Sequence, residues 1–159
     1  MTKLLLAVHV LAAIITIGPV TVAASMFPPA VHRALAAPGD PSGLATVRTL
    51  HRICRVYAVI AVTVPVFGLA TANSLHVLGS SWLITSIVLT ALAAAVLGAL
   101  ILPRQGSALA ALDGPSETLE PTAVQRVAGQ LGMSTGVFNL LWATVTVLMI
   151  IRPGSTTGA

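Results

Sequence analysis

From Leu4 to Ser25 the chain carries no Asp, Glu, Lys or Arg. At 1.5 Å per residue the run measures roughly 33 Å as a helix, enough to cross a hydrocarbon core of about 30 Å. His9 is the one ionisable side chain inside it. The run also has the layout of a secretory signal, with Lys3 before it and Val22-Ala23-Ala24 near its end. Its length favours a retained first membrane span.

The rest of the chain repeats the pattern. Hydrophobic residues make up 56% of it and charged residues only 8%, against about 25% charged in a soluble domain. Three further apolar runs follow, giving spans at about 3–25, 53–74, 82–102 and 129–151, with connections 26–52 and 103–128. The expected fold is all-α: a single polytopic membrane domain over residues 1–159, a four-transmembrane-helix bundle with both termini on one side.

Proline and glycine punctuate the chain. Pro19 predicts a kink in span 1, and Phe27-Pro28-Pro29 predicts its end. Pro38 to Ser42 reads as a turn, with Asp40 as N-cap and Pro41 at the first helical position. Pro65 and Gly68 predict a kink in span 2. Trp82 and Pro103-Arg104 mark the expected membrane boundaries of span 3. Asp113, Glu117 and Glu120 fall in the polar connection that follows.

Arg33, Arg48, Arg52, Arg55, Arg104 and Arg126 lie in or beside the two long connections, whereas Lys3 and Arg152 flank the termini. The positive-inside rule therefore puts the connections in the cytoplasm and the termini outside. Arg48, Arg52 and Arg55 recur at helical spacing and form a basic stripe for lipid headgroups or an acidic partner. The net charge of +4 comes without any Lys/Arg-rich run interleaved with aromatics, so nucleic acid is not an expected partner. The single cysteine, Cys54, excludes an internal disulfide and reads as a small packing residue.

No Asp, Glu or Lys falls inside a span, which sets the chain apart from proton relays and ion-coupled transporters. Thr63, Asn73, Thr85, Ser86, Thr90, Ser134 and Asn139 read as interhelical hydrogen-bonding residues. Histidine is the candidate cofactor ligand. His9 leads, and His76 is the possible second at the same membrane face; no metal site and no resident cofactor are expected, haem being the alternative. Ala94 with Gly98, and Gly132 with Gly136, have the small-xxx-small spacing that lets helices approach closely.

The run Leu5, Ala7 to Ile14, then Gly18, Phe27 and His32-Arg33, resembles the first helix of a family of small bacterial four-helix integral membrane proteins. Two better-known families share that helix. In the HemJ-type membrane protoporphyrinogen oxidases the first-helix histidine is functional; His9 and His32 match that pattern, while the intramembrane lysine has no counterpart here, Lys3 being the only lysine. The copper-resistance CopD family has more spans and Met/His ligands. The Ala/Gly/Val/Arg-rich, Lys-poor composition suggests a high-GC bacterium, an actinobacterium, and a chain of this kind resembles the accessory factor of the respiratory cytochrome bcc–oxidase supercomplex. The resemblance implies a non-catalytic subunit of the bacterial inner membrane, with lipid and respiratory membrane subunits as partners. The alternatives are a haem- or porphyrin-handling oxidoreductase using His9, or a small metal or solute permease.

Overall fold

The computed structural model describes residues 2–37, 39–114 and 120–154. Pro38, Glu117 and the tail from Ser155 lie outside the described residues. The first helix, α1, is Thr2–Ala36. Helices α2 (Pro41–Ile60) and α3 (Thr63–Ser74) form the second pass. The third is α4 (Ser81–Ala95), a π-helical segment Val96–Ile101, and α5 (Leu102–Asp113). The fourth is α6, Pro121–Ile151. No strand occurs among the described residues. The result is an all-α four-helix bundle, with four passes long and apolar enough to cross a membrane.

The passes are 35, 34, 33 and 31 residues long. At 1.5 Å per residue each spans about 46–52 Å, so each exceeds a hydrocarbon core by roughly 15–20 Å. The link between α3 and α4 is short, and the charged residues cluster at the opposite end. The excess length therefore projects on the side of the two long connections. Those connections are mostly helical extensions of the spans.

α1 differs from its expected end. It continues through Pro28 and Pro29 to Ala36. An interior proline costs about 3 kcal/mol. Opposing it, Phe27 and Val31 are fully buried and Ala30 is nearly so. Burying a Phe or Val side chain stabilises by roughly 1.5–3 kcal/mol. Packing of this stretch against α2 thus offsets the lost backbone bonds, which local sequence cannot reveal.

The kink expected at Pro65 sits one turn earlier. Pro65 has no N–H for the Ala61 carbonyl, and its ring crowds that carbonyl. The chain tightens at Ala61–Val62, where the Val64 N–H donates to Ala61 O at 3.0 Å and the Val62 N–H to Val59 O at 3.3 Å. Pro103 has a similar effect upstream. It cannot donate to Ala99, and the turn before it widens, with the Leu102 N–H reaching Leu97 O. Asp40 caps α2 as its sequence predicts: its carboxylate accepts from the Ser42 N–H at 2.9 Å and from the Ser42 hydroxyl at 2.6 Å.

The largest core cluster includes Phe27, Val31, Val47, Leu50, Ile101, Ala108, Val124 and Leu131. It leans towards the end with the connections. Nearer the termini a second, small cluster holds Ala72, Trp82 and Leu83. Large side chains such as Leu4, Ile14, Val59, Met133 and Leu140 face outwards, as expected where lipid is the solvent.

Candidate functional site

Three polar arrangements interrupt the apolar bundle. The first is at the end that holds both termini. His9, half-buried on α1, points its Nδ1 at Val64 O, 2.9 Å away on α3. A carbonyl only accepts, so Nδ1 carries the proton in this hydrogen bond. Gly68 makes the approach possible: a Cβ there would lie 2.9 Å from His9 Cε1 and 3.1 Å from Nδ1.

His9 and Gly68 line a cavity of about 40 Å³ with Leu6, Thr71, Ala72, Leu75, Val77, Trp82, Leu83, Met149 and Arg152. A buried water needs about 10–15 Å³ on this scale, so the space holds roughly three water-sized groups. A drug-sized ligand needs about 300–1,000 Å³, and a macrocycle does not fit inside.

Trp82 is not a boundary marker facing lipid. It is only 7% exposed, and its indole N–H is buried with no hydrogen-bond partner among the described residues. A buried unsatisfied donor costs about 1–3 kcal/mol. The Arg152 guanidinium lies over the Trp82 ring, 5.7 Å from its centre. Arg152 ends α6 in the left-handed region, φ 46° and ψ 58°, with its N–H on Leu148 O at 2.9 Å. That conformation costs roughly 1–2 kcal/mol for a residue with a Cβ. Its Nε donates to Met149 O at 3.3 Å.

His76 closes α3 through its backbone. It is exposed and left-handed, φ 56°. Its N–H donates to Asn73 O at 3.1 Å and the Val77 N–H to Ala72 O at 3.2 Å. This is the paired closure of a helix C-terminus. His76 is not among the residues lining the cavity with His9. Among the described residues no three His, Cys, Asp or Glu side chains are grouped to hold a metal ion.

The second arrangement, at the other end, was not visible in sequence. Gln105 on α5 is fully buried. Its Oε1 accepts from His51 Nδ1–H at 3.2 Å, and its Nε2 donates to Cys54 Sγ at 3.5 Å. One side chain thereby ties α5 to two turns of α2. Nearby, Arg104 donates to Ser134 Oγ on α6 at 2.7 Å, so it too serves the bundle. In the basic stripe, Arg48 pairs with Asp113 at 2.6 Å, and Arg52 and Arg55 are exposed.

The third arrangement is the outward surface. Ala94, Gly98, Gly132 and Gly136 are all exposed. A methyl group added at any of the three glycines would meet no atom within 4 Å. The close approach that their spacing permits is not used inside this bundle. On α6, Asn139 donates to Ser25 Oγ of α1 at 3.3 Å, while its Oδ1 has no partner among the described residues.

Comparison with protein-family models, curated proteins and solved structures finds no match. The fold itself defines the class: a four-helix, multi-pass membrane protein.

Proposed function

We propose that the chain is a non-catalytic accessory subunit that docks onto a larger complex in a bacterial inner membrane. The observation that carries this reading is the position of Gly98, Gly132 and Gly136. Glycine in a helix costs about 1 kcal/mol relative to alanine. These three face out of the bundle with open space around them, so nothing within the chain repays that cost. Close packing against another transmembrane helix does. The Lys-poor, Ala/Gly/Val/Arg-rich composition and the likeness of the chain to a respiratory accessory factor favour a cytochrome bcc–oxidase assembly as the partner. The arginines at the end with the connections favour a cytoplasmic position for that end and an outside position for the termini.

Purification in mild detergent followed by mass spectrometry tests the proposal. The expected result is co-purification of larger membrane subunits, lost on Gly132→Leu with Gly136→Leu. Recovery of only free protein overturns it.

A second reading is a haem- or porphyrin-handling role for His9. The hydrogen bond to Val64 O favours it, because it fixes the ring and leaves Nε2 as the ligand atom. A Soret band in the purified protein that disappears in His9→Ala supports this reading. Its absence removes it.

A further inference from the structure

The cavity near the termini has a chemistry that the docking proposal leaves unused, and it stands independently of that proposal. Two of the groups lining it are pure donors. The Trp82 indole N–H is buried and unpartnered among the described residues, and the Arg152 guanidinium lies against the same ring. Neither side chain can accept a hydrogen bond. Among the described residues no carboxylate lies within salt-bridge distance of Arg152. The pair therefore calls for an anionic oxygen acceptor.

Most of the other walls are apolar, Leu6, Leu75, Leu83 and Met149 among them, and the space is half open. A half-open cleft of about 40 Å³ with mainly apolar walls suits a hydrocarbon segment. The height also fits. His9 lies about 10 Å along α1 from its start, while Arg152 ends α6, so the site runs from the interface into the hydrocarbon. An Arg at a helix end is a residue that meets lipid headgroups.

We infer that this is a specific phospholipid site. The lipid phosphate accepts from the Trp82 N–H and the Arg152 guanidinium, and the first methylenes of one acyl chain fill the cavity floored by His9 and Gly68. Phosphate and chain are both required, and free phosphate or a chain without phosphate meets only half of the site.

Native mass spectrometry of the full chain, stripped of lipid in detergent, separates these sources. The three probes are dioleoylphosphatidylglycerol, dioleoylglycerol and inorganic phosphate. The expected result is one tightly held phospholipid, with the other two probes at least about tenfold weaker, the factor that 1.4 kcal/mol produces. Trp82→Phe keeps the ring and removes the donor; Arg152→Gln removes the charge at a helix end. Each weakens phospholipid binding by about tenfold. Ala72→Leu fills the cavity and weakens it as well, and if that variant fails to fold the two headgroup variants decide. Equal retention of dioleoylglycerol, equal retention of inorganic phosphate, or unchanged phospholipid binding in both Trp82→Phe and Arg152→Gln overturns the inference.

Discussion

Replacing Gly68 by alanine sets two opposed terms against each other. In a helix interior the change gains roughly 0.5–1 kcal/mol from backbone entropy and propensity. The new Cβ would sit 2.9 Å from His9 Cε1 and 3.1 Å from Nδ1. The ring is the end of a side chain and can swing away, but its Nδ1–H is tied to Val64 O at 2.9 Å. Swinging away strands that donor in an apolar setting, which costs about 1–3 kcal/mol. The loss wins, and Gly68→Ala destabilises by about 1 kcal/mol. In a His9→Ala background the obstacle is gone and the same change stabilises by roughly 0.5–1 kcal/mol. The double-mutant cycle should therefore show a coupling of about 2 kcal/mol. Reversible unfolding in mixed micelles, followed by helical circular dichroism, measures all four stabilities. An effect of Gly68→Ala that is the same in both backgrounds would refute the close approach and the anchored histidine together.

Gln105→Ala should cost about 2–4 kcal/mol in the same assay, because it opens a cavity and leaves His51 without its partner; Gln105→Leu, which keeps the volume, should recover at least about 1 kcal/mol of this. The coupling between Arg48 and Asp113, both well exposed, should be no more than about 1 kcal/mol and should fade between 0.1 and 1 M salt, as a cycle of Arg48→Gln and Asp113→Asn would report. Gly132→Leu should raise the stability of the isolated chain by roughly 0.5–1 kcal/mol yet abolish co-purification, since the site meets no atom of the bundle. The Asp40 carboxyl is held below its ordinary value of 3.8 by the Ser42 hydroxyl and then the Ser42 N–H. A lowered carboxylate value stabilises the fold above the ordinary value and loses that contribution as pH falls through the lowered one. Hydrogen exchange, corrected for intrinsic rates, should show the first turn of α2 protected near about pH 5 and opened near about pH 2, with no such step in Asp40→Asn.

How far the chain could be read in advance depends on how local the governing interaction is. Apolar runs set by the bilayer gave four passes, and the Asp40-Pro41 start of α2 is written in adjacent residues. The passage of α1 through Pro28-Pro29 is not, because Phe27 and Val31 owe their burial to other helices. Trp82 carries the composition of an interfacial residue, yet its place under Arg152 depends on where α6 ends. His9 was legible as the one ionisable group of its span; its partner on α3 had only a faint trace, a glycine at 68 where an apolar helix needs none. Gln105 left no trace, since it falls just past the Pro103-Arg104 boundary in the expected connection 103–128, and the π-helical segment carries the helix through it.

These particulars divide the molecule by solvent. Within the apolar windows of the four passes only 11–22% of residues are buried, because lipid competes with helix for the same side chains. There the helices are held by discrete pieces: His9 against Gly68, Arg152 over Trp82, Asn139 to Ser25. Towards the connections Phe27, Val31, Val47, Ile101 and Leu131 pack without exposure. The larger core cluster thus reaches from the middle of the passes to the end with the connections. The membrane half keeps its large apolar side chains and its glycine faces turned outward, free to meet lipid or another helix at little cost to the fold. The docking role proposed above would draw on that separation: substitutions on the outward glycine faces need not change whether the chain folds.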